Sequence, residues 1–318
     1  MRAMLSVVIP TRDRREVLLE TLRALQAQRL PSEGAEVIVV DNGSRDGTPE
    51  AVRELAGGAA IPLQLVDEPE PGPARARNAG VAAATGELIL FLGDDTAPAE
   101  PDLLVRHAEL HRADPDPRHA VQGRATWTPR REVTDFMEWL ERTGLQFKFD
   151  QLSPGPVDPV GAFVTAHVSL KRRLFEQAGR FDTRFPWAAL EDVELALRLE
   201  QIGMVLDYRP ELLVLHDHPT TPAAALGRWN RIGRSAALLF QIHPDWDRPG
   251  LDRPDDWRWR LLEWSYPLWS TGARLRLPRG ARERIWRFAY LSAYARGYHE
   301  GAPTCPGSEP AGRPEGVR

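Results

Sequence analysis

Two pairs of adjacent carboxylates and one His-x-His pair are the residues whose types and spacing could do chemistry. Asp94 and Asp95 follow directly on the apolar run Leu88-Ile89-Leu90-Phe91-Leu92. Glu191 and Asp192 open an amphipathic stretch, and His216 and His218 follow the apolar Leu212 to Leu215. Two carboxylates at the end of a buried strand suit a hard divalent cation that bridges to phosphate oxygens. A plainer use also exists for each acidic pair. Asp-Asp-Thr ahead of Pro98 would cap a helix, and acids in a first helical turn are favoured by the helix dipole.

To hold such groups the chain needs strands that stop at one edge. Five apolar residues in a row, bounded by turn formers, read as a strand covered on both faces and hence as part of a mostly parallel sheet between helices. Leu5 to Pro10, Glu36 to Val40 and Leu63 to Val66 read as further strands. They alternate with helices over Glu16 to Gln28, after Thr48 as N-cap with Pro49 in the first turn, and after Pro73. This alternation predicts a doubly wound α/β unit. Its ligand crevice lies outside the carboxyl ends of the strands.

Strands are also expected over Ala120 to Thr128, Ala162 to Leu170 and Leu212 to Leu215. Helices are expected over Pro101 to Arg112, Val133 to Arg142 and Leu174 to Ala178, and from Glu191 with Val193, Leu195, Leu197 and Leu199 on the buried side. Past Thr220 the texture changes. Seven of the ten tryptophans lie there, and Pro222 to Ile242, Asp255 to Tyr266 and Ala281 to Tyr298 read as helices. The expected organisation is an α/β unit over 1–220, a helical appendage over 221–300, and a Pro/Gly/Glu/Ser tail over 301–318 that lacks periodicity and should be disordered.

The 318 residues suffice for a large core. With 41 basic and 45 acidic residues the net charge is -4, so no global field recruits nucleic acid. A single cysteine, Cys305, excludes an intramolecular disulfide framework and fits a reducing compartment. No apolar run approaches membrane-spanning length, so the expected location is cytoplasmic, at most peripheral to the inner face of a membrane. Gly-x-Gly-x-x-Gly, Walker A and Gly-x-Ser-x-Gly patterns are all absent, which argues against dinucleotide, P-loop and serine-elbow chemistry.

Six short motifs then fall in one order: Val7-Val8-Ile9-Pro10-Thr11, Val39-Val40-Asp41-Asn42-Gly43-Ser44, Ala76-Arg77-Asn78-Ala79-Gly80, Phe91-Leu92-Gly93-Asp94-Asp95, Gly179-Arg180-Phe181-Asp182 and Glu191-Asp192-Val193-Glu194-Leu195. In this order the chain resembles the inverting family 2 glycosyltransferases of GT-A fold, over roughly Leu5 to His218. The resemblance implies transfer of a sugar from a UDP- or dTDP-linked donor to a hydroxyl of a saccharide, a lipid-linked saccharide or a small metabolite. Pro10 and Thr11 would line the nucleotide, and Asp41 with Asn42 would face the base. Arg75 or Arg77 would reach the diphosphate or base, with Gly80 allowing close backbone approach. Asp94 would hold the ribose and Asp95 the metal, Mn2+ or Mg2+, although Gly93 stands where the family often has its first acid. His216, or its neighbour His218, would complete the metal shell, and imidazole suits manganese better than magnesium. Asp192 matches the catalytic base, Glu191 is the next carboxylate, and Trp187 could stack on the acceptor sugar.

Two rival classes are weighed against this. A sugar-nucleotidyltransferase would need a glycine-rich triphosphate loop where Pro10-Thr11-Arg12-Asp13-Arg14 stands. A non-catalytic nucleotide-sugar-binding module would have no reason to keep Asp95, Glu191-Asp192 and His216 together. In the appendage, Arg274, Arg276, Arg279, Arg282, Arg284 and Arg287 are interleaved with Trp269, Trp286 and Phe288. They would either form a solvated basic face over an aromatic core or seat the protein on an anionic membrane. Arg228-Trp229 matches part of the Gln-x-x-Arg-Trp element of processive synthases, with Ala225 in place of the Gln.

Overall fold

A computed structural model describes residues 5–275 and 277–302; Cys305 and the rest of the tail expected to be disordered lie outside the described residues. The first half alternates as the apolar runs demand: β1 (Leu5–Thr11), α1 (Arg15–Gln26), β2 (Ala35–Asp41), α2 (Thr48–Ala56), β3 (Leu63–Asp67), α3 (Pro73–Ala83) and β4 (Leu88–Leu92). There follow β5 (Thr96–Pro98), α4 (Leu103–Ala113), β6 (His119–Trp127), α5 (Asp135–Thr143), β7 (Gly155–Val157), α6 (Pro159–Ala162), β8 (His167–Lys171), α7 (Arg172–Gln177), α8 (Glu191–Gln201) and β9 (Val205–His216). The appendage is α9 (Pro222–Ile242), α10 (Trp257–Trp264), α11 (Tyr266–Gly272) and α12 (Arg279–Glu300).

All nine strands form one sheet in the order β3-β2-β1-β4-β8-β6-β9-β5, with β7 also on β9. β1, β2, β3, β4, β6 and β9 point the same way, while β8, β5 and β7 run against them. The sheet is therefore mostly parallel and mixed toward one side, an α/β fold as the sequence implied. Its strands bury both faces. Val8, Ile38, Val40, Ile89 and Phe91 join one core with α3, α7 and α8, and Val7, Ile9, Val37, Val39 and Leu90 join the other with α1 and α4, as period-two alternation requires.

Several local expectations change. Thr48 is the first helical residue, not the cap; Gly47 in the left-handed region ends the turn, and the Thr48 hydroxyl bonds Asp46. The strand expected over Ala162 to Leu170 is shortened to β8, because Asp158 caps a short helix through the Val160 N–H. β9 reaches back to Val205. Its polar Asp207, Arg209 and Glu211 hide the pattern, and Pro210 falls where the ladder to β6 slips between Gly123 and Arg124. Along α8, Leu195 and Leu199 are buried as expected, but Val193 and Leu197 are half-buried. Glu194 and Arg198 take buried positions instead, paired at 2.6 Å, and Arg198 donates to the carbonyls of Ala178 and Arg180.

α9 and α12 lie close because a glycine faces backbone on each. A Cβ on Gly233 would fall 2.0 Å from the Tyr294 carbonyl oxygen, and one on Gly297 would fall 2.0 Å from that of Asn230. The appendage shares an aromatic core with α5, in which Phe136, Trp139, Trp229 and Trp286 pack edge and face. Trp286 is thus buried, and Arg279 and Arg282 are occupied with Glu283 and Asp135. What the appendage exposes instead is Trp257, Leu261, Trp264 and Leu268, spaced on one side of α10 and α11.

Under the sheet, β8 and α4 enclose uncharged histidines. His107 bonds Ser169 at 2.8 Å and His167 at 3.0 Å, and His111 bonds Ser169 at 2.9 Å. Burial holds His107 well below its ordinary value, pushes His111 down to about 3 and His167 down to about 4. These imidazoles stay neutral in the fold, whereas the unfolded chain protonates them below about pH 6.5. Stability should therefore be full above that pH and fall as pH drops toward about 4, by roughly 1.4 kcal/mol per pH unit for each histidine. Urea unfolding at pH 7.5 and 5.0 measures it. Equal unfolding free energies at the two pH values would contradict the account, and replacing His107 by Gln should flatten the slope.

Candidate active site

The turn after β4 carries Asp94 and Asp95, and instead of opening a helix it returns at once as β5. Because β5 pairs with β9 in the register Thr96 to His216, Asp95 is set beside the histidines that end β9. The Asp217 N–H donates to the Asp95 carbonyl at 2.7 Å. His216 Nε2 lies 3.4 Å and His218 Nδ1 3.2 Å from Asp95 Oδ2. Donor atoms of Asp95, His216 and His218 all lie within 4.8 Å of one another. The two imidazoles stack with their planes 1° apart, and Trp127 covers the other face of His216.

One carboxylate with two imidazoles is a donor set that suits a divalent metal ion, and His216 Nδ1, buried without a partner, leaves the ring's tautomer free to present Nε2. Gly93 also gains a reason. A Cβ there would lie 2.9 Å from Asp95 Oδ1, so a larger residue would force the Asp95 carboxylate to move.

Sequence reasoning passed over Arg14. From the entry to α1 its Nη2 donates to Asp95 Oδ2 at 2.8 Å and approaches His218 Nδ1 at 3.0 Å, while Nε lies 3.6 Å from Asp94. Only a general surplus of arginine was legible there. Asp94 accepts the Thr11 hydroxyl at 2.9 Å. Burial and the Asp95 charge push the Asp94 carboxyl up to about 7 against Arg14. Burial would raise Asp95 as well, yet His216, His218 and Arg14 hold it well below the usual carboxylate range.

The second carboxylate pair opens α8, where Leu190 takes a left-handed turn at φ 68°. Glu191 turns inward to a buried ion pair with Arg77 at 2.8 Å. Arg77 also lies over the Phe181 ring. Arg77, one of the two arginines expected to reach the diphosphate or base, is here the counter-charge of Glu191, and the two hold α3 to α8. Asp192 is left half-buried, with one oxygen accepting the Val193 N–H at 2.9 Å. Burial and the Glu191 charge, opposed by Arg77, push its carboxyl up to about 7.

Arg228 of α9 bonds Gln146. Burial lowers the Arg228 guanidinium, while Asp192, Glu191 and Asp95 all act to raise it. Trp187 is half-buried, with the Arg234 guanidinium 5.0 Å from its ring centre.

At the ends of β1 and β2, Pro10 and Thr11 lie beside Asp41. The Asp41 carboxylate accepts the Ser44 N–H through Oδ2, while Oδ1 is buried without a partner. Asn42 was expected beside it at the base. Its amide instead donates to the Glu68 and Glu70 carbonyls and accepts from Gly72 N–H, fastening the loop before α3. Gly80 is also reassigned. A Cβ there would lie 2.4 Å from Val8 Cγ1 and 3.0 Å from Val40 Cγ2, so the close approach it permits is of α3 to the sheet. Arg75 remains on the rim, paired with Glu70 at 2.9 Å.

Known proteins share this arrangement of chain. Residues 6–172 match the glycosyl transferase family 2 model. A pre-mycofactocin glycosyltransferase of Mycobacterium tuberculosis is 29% identical over 77% of this chain and 49% of its own. A validoxylamine A glucosyltransferase of Streptomyces hygroscopicus subsp. jinggangensis is 30% identical over 63% of this chain and 52% of its own. The chain spans about half the length of these relatives. Among solved structures, a mannosyltransferase from Pyrobaculum calidifontis in complex with GDP-Man and Mn2+ superposes with a TM-score of 0.62 at 24% identity, over 94% of this chain and 88% of that one. TarS 1-349 of S. aureus in complex with UDP-GlcNAc does so with a TM-score of 0.54 at 15% identity, over 93% and 90%. The ordered strand-end motifs, the GT-A architecture and a match over more than half its length together place this chain in glycosyl transferase family 2.

Proposed function

We propose that this chain is an inverting, metal-dependent glycosyltransferase that moves a sugar from a nucleoside-diphosphate sugar to a hydroxyl acceptor. The observation that carries the reading is the cluster of Asp95, His216 and His218 at the strand ends, whose donor atoms lie within 4.8 Å of one another, in a chain whose second acidic pair, Glu191 and Asp192, opens α8. Asp95, His216 and His218 would hold Mn2+ or Mg2+. When bound, the ion neutralises charge building on the departing diphosphate. Asp94, which accepts the Thr11 hydroxyl, would take the ribose hydroxyls, and Arg75 would meet the diphosphate. The unpartnered Asp41 Oδ1 offers an acceptor to an imide N–H of uracil or thymine. Guanine also presents ring N–H donors, and a neighbour was solved with GDP-Man, so the base is an experimental question.

Asp192 would take the proton of the acceptor hydroxyl as that oxygen attacks from the side opposite the leaving group, and a base poised near neutral pH suits this. The acceptor's remainder would lie in a cleft of about 590 Å³ between residues 132–136 and the appendage, lined by Thr134, Thr221, Arg274, Arg282 and Trp286. Trp187 would flank the acceptor sugar. No helix among the described residues is long and apolar enough to cross a membrane. The exposed Trp257, Leu261, Trp264 and Leu268 recur at three- and four-residue steps, and Arg274, Arg284 and Arg287 stand exposed on the same appendage. Apolar side chains beside cations complement an anionic lipid surface, which would bring the cleft to a lipid-linked acceptor.

A panel of UDP, dTDP and GDP should raise Tm more with Mn2+ than either component does alone, by an amount equivalent to about 2.7 kcal/mol at a hundredfold excess over Kd. Equal shifts in EDTA would remove the ion from the reading. Asp192→Asn should bind donor and ion normally while transfer falls by roughly two to four orders of magnitude. In the parent protein, kcat/KM should climb with pH through about 7, and this rise should vanish in the variant. Asp95→Asn should instead weaken the metal-dependent donor affinity itself. Near-parental turnover by Asp192→Asn would leave that residue a helix-capping acid. Vesicles containing phosphatidylglycerol should sediment the protein better than phosphatidylcholine alone, and a Trp257→Ser, Trp264→Ser double variant should lose roughly tenfold or more of that binding. Indifference to the double substitution, or its conversion of a dimer to a monomer, would reject the membrane assignment.

A further inference from the structure

Arg14 contacts two of the three groups that the proposed function gives to a divalent ion, Asp95 and His218. Its Nη2 is 2.8 Å from Asp95 Oδ2 and 3.0 Å from His218 Nδ1, and those two atoms are 3.2 Å apart. For His218 Nδ1 to accept from a guanidinium it must carry a lone pair. Two lone pairs, one from imidazole and one from carboxylate, then converge on a single positive group, as they would on a metal ion. Arg14 is also the one cation within reach of Asp94, at 3.6 Å, among the described residues. Unlike Arg77, which is buried with Glu191, Arg14 keeps 29% of its side chain exposed, so it has room to move aside.

We propose that Arg14 is an internal counter-cation of Asp94 and Asp95: it neutralises the pair in the ion-free chain, competes with a divalent ion for Asp95 and His218, and is released to the donor's diphosphate when both arrive. Two buried carboxylates in adjacent positions must be paired or protonated, and Arg14 is the guanidinium that reaches both. A guanidinium in that role lowers the affinity for the ion alone. A diphosphate reverses the penalty, because it gives the displaced arginine a bidentate partner. Ion and nucleotide must then bind with positive coupling, and by linkage each strengthens the other by the same factor.

This inference rests on the metal-dependent reading, and the test separates the two. Mn2+ affinity is measured by the electron paramagnetic resonance signal of free Mn2+, with and without UDP or whichever diphosphate the panel selects, on parent, Arg14→Gln, Arg14→Lys and Asp95→Asn proteins whose folding is checked by circular dichroism. Arg14→Gln should bind Mn2+ alone more tightly than the parent, roughly fivefold or more, and the enhancement by nucleotide should shrink by a similar factor. Arg14→Lys, which keeps the charge but loses the fork, should fall between. A merely structural arginine would give weaker or unchanged ion binding, and equal or weaker Mn2+ affinity in Arg14→Gln overturns the proposal. If Mn2+ binds neither parent nor Arg14→Gln under any condition, the metal reading falls and takes this one with it. Tightening in Arg14→Gln that persists in Asp95→Asn would also overturn it, since the competition is for Asp95.

Discussion

Four carboxylates crowd one end of this sheet, and a carboxylate taken out of water must be paired or protonated. Asp94, Asp95 and Glu191 are buried and Asp192 half-buried, and each meets the constraint differently. Glu191 has a dedicated arginine, Arg77, brought from α3. Asp95 shares Arg14 and two histidines. Asp94 and Asp192, the less compensated member of each pair, are both pushed up to about 7. In the first pair one acid is held well below the usual carboxylate range while its neighbour is raised to about neutral pH, and in the second pair Asp192 is raised in the same way.

The geometry of the sheet makes the crowding possible. β4 ends at the edge where ligands bind in open α/β sheets, and the three-residue β5 folds back to pair with the last residues of β9. That short ladder delivers His216 and His218 to Asp95 across 121 to 123 positions of sequence. The chain then runs into α9, whose Arg228 bonds Gln146, while Trp229 beside it anchors the helix in the core shared with α5.

Electrostatic character changes sharply a few residues away. Beneath β8 the histidines are bonded to one another and to Ser169 and stay uncharged, whereas the buried acids at the strand ends are met by Arg14 and Arg77. The same burial acts in opposite directions on the two chemistries, raising carboxylates and lowering imidazoles, because in each case it disfavours the charged form.

The apolar runs at Leu5, Glu36, Leu63 and Leu88 sufficed to determine a parallel α/β half with acids at its ligand edge, since hydrophobic periodicity reports which faces of an element leave water. The family resemblance carried by the ordered motifs singled out Asp95, Asp192 and His216 as candidates by their position in the chain. Tertiary structure alone decided what those groups touch. The first half of β9 escaped the pattern because its polar residues sit on an irregular ladder around Pro210. Arg14 looked like any arginine of an arginine-rich chain, and Gly80 looked like a donor-site glycine until Val8 and Val40 were seen against it. Arg77 could be matched to Glu191 only by a fold that joins positions 114 apart. Local patterning carries the sign of each residue's environment, but a buried charge is satisfied by a partner from elsewhere in the chain, and the packing of the elements chooses that partner.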